Sequence, residues 1–147
     1  MLPDLTDLVD YIVSHYSSAS KIVEVGIGRL PNIALELKKR LKQTEIIVVD
    51  VNDSIINGYR DNFNNIECLQ DDVFDPKGRI YKSASLIYSI RPPPELHEQI
   101  AGLGMNVKAD VLIRPFGRES LSTGKKTRKF SLINNRKASF YIAFFQK

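Results

Sequence analysis

The chain has one cysteine, Cys68, two histidines and no tryptophan among its 147 residues. A lone thiol cannot close an internal disulfide, so a disulfide-stapled scaffold is excluded and a reducing compartment is the simple expectation. Two histidines and one cysteine, far apart, offer no metal-ligand spacing, and no metal is expected. Long apolar runs are missing too. Residues 46–49 and 141–145 are of strand length, far short of the ~20 residues that span a bilayer. Met1-Leu2-Pro3-Asp4 lacks the basic start of a secretory signal, so the expected location is the cytoplasm. A Gly-x-Ser-x-Gly elbow and the Gly-Lys-Ser/Thr of a phosphate loop are also absent.

What is present is ordinary for a globular chain: 43% hydrophobic and 26% charged residues, with seven Phe and six Tyr to build a core. The length suits one domain over residues 1–147. Charge is unevenly distributed about a net +4. Residues 108–147 carry ten Lys/Arg against two acids, a balance of +8, and the remainder carries eleven against fifteen, −4. This basic C-terminal third can attract a phosphate-rich partner such as RNA, or be a solvated surface. Its densest run, Lys125-Lys126-Thr127-Arg128-Lys129, reads either as a backbone contact for nucleic acid or as a charged loop that blocks edge pairing by the next strand. No interleaved aromatic residues accompany it.

Apolar spacing predicts a helix over residues 4–16, where Leu5, Leu8, Val9, Ile12 and Val13 share a face. A β-branched run, 21–25, reads as a buried strand. A glycine turn follows, then a helix from Pro31 through Leu41. The four apolar residues 46–49 point to a strand buried on both faces, as in a parallel sheet. Asp53 can cap a short helix to Tyr59. Further strands are expected at 66–69, 84–90 and 110–114, with a helix over 95–103 closed by Gly104. Residues 129–134 and 139–145 read as a closing hairpin around Asn135-Arg136-Lys137. Between the fifth strand and this hairpin, residues 115–128 have no helical stripe and read as a loop. Strands alternating with helices predict an α/β fold: a Rossmann-like, doubly wound, mostly parallel sheet with a C-terminal antiparallel hairpin.

The segment that carries chemistry is Glu24-Val25-Gly26-Ile27-Gly28. A strand runs into two glycines spaced by one residue, and a helix follows. Glycine permits a sharp bend and close approach of a ligand to the backbone. Asp50 comes twenty-two residues after Gly28, at the end of the second strand, where a carboxylate can accept both hydroxyls of a ribose. A dinucleotide site usually has a third glycine and free N–H groups for its pyrophosphate. Here Arg29, Leu30 and Pro31 stand there. Glu24 would repel a pyrophosphate and favour a cationic amine or sulfonium. NAD therefore stays as the alternative, and a positively charged nucleoside is the main reading.

These residues resemble motif I of class I S-adenosylmethionine-dependent methyltransferases, an acid followed by Gly-x-Gly one residue later. Asp50 matches that family's ribose-binding acid. Asp71-Asp72-Val73-Phe74 is similar to its adenine segment, and Leu86-Ile87-Tyr88-Ser89-Ile90-Arg91-Pro92-Pro93 stands where motif IV does. The resemblance covers residues 20–115. Brevity and the Ile90-Arg91-Pro92-Pro93 segment make the whole chain look like a small uncharacterised archaeal family with a truncated domain of this type.

The resemblance implies S-adenosylmethionine or S-adenosylhomocysteine as cofactor. Glu24 would hold its amino end through the bend of Gly26 and Gly28. Asp50 would bind the ribose, Asp72 would select adenine, and Val73 or Phe74 would pack the ring. The chain departs from the pattern at Leu30, where a third glycine is frequent, and at Ser89 and Arg91, where many members place an acid or amide before Pro-Pro. No catalytic residue is assigned. Ser89 and Arg91 are substrate candidates: Ser89 can equally be a strand-end hydrogen bonder, and Arg91 can clamp a phosphate or carboxylate or pair with a nearby acid. His97 and Glu95 fall on the helix over 95–103, where a catalytic base is one reading and a solvated helix face is the expected one. A non-catalytic module that binds a nucleoside, RNA or another partner is the rival reading.

Overall fold

In the computed structural model, residues 3–26, 31–117, 119–122 and 124–146 are described. The chain alternates helix and strand: α1 (Pro3–His15), β1 (Lys21–Val25), α2 (Asn32–Arg40), β2 (Glu45–Asp50), α3 (Asp53–Asn62), β3 (Glu67–Gln70), a single turn α4 (Gly78–Tyr81), β4 (Leu86–Ile90), α5 (His97–Val107), β5 (Asp110–Arg114), β6 (Ser131–Asn135) and β7 (Ala138–Ala143). One sheet carries all these strands in the order β3-β2-β1-β4-β5-β7-β6. β1 lies parallel to β2 and β4, and β7 is antiparallel to β5 and β6.

Burial on both faces explains the apolar runs. In β2, Ile46 and Val48 point into a core shared with α1, α2 and α3. Ile47 and Val49 point into a second core under α4 and α5. Each of these four side chains is at most 2% exposed, and burying one stabilises the fold by ~1.5–3 kcal/mol. Such continuous β-branched strands cannot rest on one layer of helices, so the sheet is sandwiched, as the sequence predicts.

Several local expectations are corrected. α5 does not stop at Gly104. It runs on to Val107 and ends where Lys108 turns left-handed at φ +62°. Gly104 instead lets α5 lie against β5, because a Cβ there would come within 2.1 Å of Val111 Cγ2 and 2.7 Å of the Ala109 carbonyl oxygen. α3 is capped by Asn52 rather than Asp53. The Asn52 side chain accepts from the N–H groups of Ser54 and Ile55, and the helix continues to Asn62. The turn α4 carried no helical stripe and was not expected.

Between β5 and β6 the described residues form only a 3₁₀ turn, Thr127–Lys129. Among the described residues no α-helix stands between β5 and β6, while the sheet continues through β7 and β6. A two-residue loop, Arg136-Lys137, closes the hairpin with Arg136 at φ +57°.

Candidate functional site

The C-terminal ends of β1 to β5 surround a crevice with two joined lobes that share Val25, Gly26, Asp50, Pro93 and Leu96. The larger, a cavity of about 680 Å³, is lined by Glu24, Asn32, Ser89, Arg91 and Phe116 among others. The smaller, about 480 Å³, is lined by Val51, Asp71, Asp72, Val73 and Phe74. Parallel strands point their carboxyl ends here, and the chain leaves the sheet in opposite directions from β1 and β4, which opens the crevice between them.

Gly26 makes the bend after β1. Its N–H donates to the Val49 carbonyl at 2.8 Å and its φ is +76°. A Cβ here would meet nothing within 4 Å, so the backbone angle, and not crowding, requires glycine. Gly26→Ala is expected to lower stability by about 1–2 kcal/mol, the cost of a left-handed L-residue, read as a lower urea midpoint with unchanged slope. Gly28 lies outside the described residues.

Glu24 sits beside Val48 and Tyr88 in the sheet register. It is 4% exposed and borders the larger lobe. The Tyr88 hydroxyl donates to its Oε1 at 2.7 Å. Burial pushes the Glu24 carboxyl up to about 8, against the pull of that hydrogen bond. From the sequence, Glu24 is expected to be a standing negative charge. In the structure burial favours the neutral acid at pH 7 instead.

Asp50 ends β2, and its Oδ1 accepts the Asn52 N–H at 2.9 Å. It borders both lobes. The two adjacent aspartates after β3 divide their work. Asp71 is buried and structural, accepting the Lys77 N–H at 3.0 Å and the Tyr81 hydroxyl at 2.5 Å. Asp72 accepts the Phe74 N–H at 2.9 Å, a tight Asx turn. That turn offers Val73 and Phe74 to the smaller lobe, which Val51 also lines, and both Phe74 and Val51 are exposed.

Ser89 is 1% exposed and donates its hydroxyl to the Val25 carbonyl at 2.7 Å, which ties β4 to β1 at the crevice. Arg91 is half-buried at φ +54°, and its N–H donates to the Arg114 carbonyl at 2.6 Å.

The structure thus gathers Glu24, Gly26, Asp50, Asp72, Val73, Ser89 and Arg91 around one crevice. It does not bring His97 there. The expectation of a solvated His97 is wrong: its ring is fully buried, Nδ1 accepts the Ser122 N–H at 3.0 Å, and Nε2 has no hydrogen-bond partner among the described residues. Burial holds its pKa below the usual value.

The basic run 125–129 is fastened to α5, since Glu98 accepts the N–H groups of Lys126 and Thr127. None of the run's residues borders the crevice. Arg114 and Arg136 pair with carboxylates of α1. Sequence reasoning missed Phe116 and Leu5 as crevice walls. Phe116 follows the C-terminal end of β5, a position that could have flagged it. Leu5 belongs to α1, outside the motif-bearing stretch. No helix among the described residues is long and apolar enough to cross a membrane.

The strand order, the reversed β7 and the glycine bend opening a crevice beside an acid at the end of β2 define the class: the fold is that of the class I S-adenosylmethionine-dependent methyltransferases. Solved structures agree. The delta-N METTL16 MTase domain superposes with a TM-score of 0.69 over 97% of this chain and 81% of its own, at 11% identity. A TehB-like SAM-dependent methyltransferase from Corynebacterium glutamicum gives 0.65 over 100% and 89%, at 15% identity. Human N-acetylserotonin methyltransferase in complex with SAM gives 0.67 over 99% and 52%, at 12% identity.

The chain belongs to the uncharacterised protein family UPF0146, whose model matches residues 5–144. UPF0146 protein PH0209 of Pyrococcus horikoshii is 37% identical over 117 residues, 78% of this chain and 85% of the relative. The UPF0146 protein of Archaeoglobus fulgidus is 35% identical over 138 residues, 94% and 93% of the two chains.

Proposed function

We propose that the crevice binds S-adenosylmethionine, or its product S-adenosylhomocysteine, and that the protein is a methyltransferase of this fold. The observation that carries this reading is the continuity of the two lobes around Gly26, with a buried carboxyl at one side and an Asx turn bearing apolar residues at the other. The residues fit such a ligand. Gly26 leaves open space where any side chain would intrude. Glu24 supplies a buried carboxyl at the larger lobe and would take the amino end. Asp50, at the junction of the lobes, would accept the ribose hydroxyls. Asp72 would accept the adenine amine, and Val73 and Phe74 would cover the ring's faces.

Bound there, S-adenosylmethionine supplies a methyl group activated on a positively charged sulfur. The chain's own contribution is to orient the ligand, exclude water with Leu96 and Phe116, and balance charge at Glu24. Orientation alone supplies much of the rate enhancement in such a transfer. A second reading, a nucleoside-binding module without turnover, is favoured by Ser89, whose hydroxyl donates back into the sheet.

Isothermal titration with S-adenosylmethionine, S-adenosylhomocysteine and NAD tests the reading, and binding of NAD alone would overturn it. Asp50→Ala is expected to weaken S-adenosylhomocysteine binding by about 1.5–3 kcal/mol, the worth of hydrogen bonds to a charged group. An unchanged dissociation constant removes Asp50 from the site. A mass spectrum of natively purified protein should show a copurified adenosyl compound. Binding without methyl transfer to pooled RNA, protein or metabolites selects the module.

A further inference from the structure

Most arginines of this chain whose surroundings are described have partners or stand in open solvent. Arg40 donates to Asp10 at 2.7 Å, Arg60 to the Cys68 carbonyl at 2.8 Å, Arg114 to Asp4 and Arg136 to Asp10 at 3.0 Å. Arg79 and Arg128 are exposed. Arg91 fits neither group. It is half-buried, it borders the larger lobe, and its guanidinium has no hydrogen bond or ion pair among the described residues. A guanidinium carries five N–H donors in a planar fork, and partial removal from water without a counter-charge is unfavourable.

The backbone holds this cation in place. Arg91 has φ +54°, a conformation that disfavours L-residues. It is fixed by its N–H bond to the Arg114 carbonyl and by the rigid Pro92 and Pro93 that follow. Strain of this kind at a crevice mouth is a pointer to function.

Position then separates Arg91 from the nucleoside lobe. Asp50, Asp72 and Val73 lie at the ends of β2 and β3. Arg91 lies between the ends of β4 and β5, with β1 in between. Leu5, Ile90, Pro92 and Phe116 line the same lobe, so the cation stands in a largely apolar frame, the usual make-up of a small-molecule site.

We propose that Arg91 is the oxyanion receptor of a second subsite, which takes the carboxylate or phosphate of a small molecule whose apolar body lies against Leu5 and Phe116. This rests on the reading of the crevice as an adenosyl site, since it assigns the remaining half of the larger lobe to the other substrate.

The test is an NMR titration of full-length protein with benzoate and phenyl phosphate as probes, following the backbone amide signals of the crevice residues in every variant and, in the wild type, the Arg91 Nε–Hε signal as well. It is run with and without saturating S-adenosylhomocysteine. Expected is a saturable shift with at least one probe. Its dissociation constant should rise at least tenfold in Arg91→Gln and less in Arg91→Lys, which keeps the charge but loses the fork. S-adenosylhomocysteine affinity, by calorimetry, should change by less than threefold in Arg91→Gln.

Absence of probe binding to the wild type, or equal probe affinity in Arg91→Gln, overturns the subsite. So does a tenfold loss of S-adenosylhomocysteine affinity in Arg91→Gln that disappears with the decarboxylated analogue, because Arg91 then holds the adenosyl ligand's own carboxylate. If S-adenosylhomocysteine fails to bind while probe binding still depends on Arg91, the adenosyl reading falls and the oxyanion site stands.

Discussion

S-adenosylmethionine is expected to bind about tenfold more tightly for each pH unit gained between roughly pH 6 and 7.5, with close to one proton released per ligand at pH 7. The reason is Glu24. Burial raises its carboxyl to about 8 in the ligand-free protein, so at pH 7 most molecules carry it protonated, with the Tyr88 hydroxyl on Oε1. A cationic ligand stabilises the carboxylate and must displace that proton. Above about pH 8 the gain stops, and affinity declines as the ligand loses its own α-ammonium charge. Calorimetry in two buffers of different ionisation enthalpy counts the proton directly. A pH-independent affinity would show that Glu24 does not meet the cation.

Glu24→Gln sharpens the test because it keeps the shape and the acceptor for Tyr88. Its affinity should be flat over pH 6–7.5 and, near pH 8, lower than the wild type's by about 1.5–3 kcal/mol. The same group links pH to stability. Its folded pKa lies above the ordinary value of 4.5, so between about 4.5 and about 8 the native state holds more protons than the unfolded chain. Stability is therefore fully present below 4.5 and is lost as pH rises through that window, by at most roughly 1.4 kcal/mol per unit. Glu24→Gln should remove this slope, making the variant more stable than the wild type at pH 8. Urea unfolding at pH 5 and pH 8 measures both.

Gly104→Ala is expected to destabilise the protein by about 2–3 kcal/mol, although alanine is the better helix former. The helix propensity gain is ~1 kcal/mol. Against it, the new methyl would lie 2.1 Å from Val111 Cγ2 and 2.7 Å from the Ala109 carbonyl oxygen. The second contact is backbone and cannot swing aside, so α5 must lift from β5 and open the core packed beneath it. The melting temperature should fall by about 4–12 °C, at roughly 2–4 °C per kcal/mol for a domain of this size. Combining it with Val111→Ala removes the closer clash, and the double variant should lose less than the sum of the two single losses. Strict additivity would mean that the helix already stands clear of the strand.

The features legible in the sequence were those written in local spacing. The β-branched run of β1 announced a buried strand, and the four consecutive apolar residues of β2 announced burial on both faces, because a one-sided strand would leave alternate Val and Ile in water. Gly26 announced a bend, since only glycine takes φ +76° without strain. Asp50 announced a crevice-side acid through its place at a strand end. The hairpin followed from the apolar alternation of residues 129–134 and 139–145 around Asn135-Arg136-Lys137, and the loop before it from the polar, stripe-free residues 115–128.

Other features depended on which side chains the fold brings together across long stretches of chain. His97 looked like a surface residue of an amphipathic helix, yet the loop carrying Ser122 covers it. Gly104 looked like a helix stop, yet it is a contact surface for Val111. Tyr88 is 64 residues from Glu24 in sequence and reaches it only through the parallel pairing of β1 with β4.

By itself, then, the sequence determined the alternation of helix and strand, the two-sided burial of the central sheet and the bend with its two acids. These are consequences of side-chain period and backbone angle, which each segment carries alone. Tertiary structure decided the burial of Glu24, the place of Arg91 at the crevice without a side-chain partner among the described residues, and the join between the two lobes. Those properties belong to distances between segments, because desolvation and pairing depend on what the folded chain places around a group.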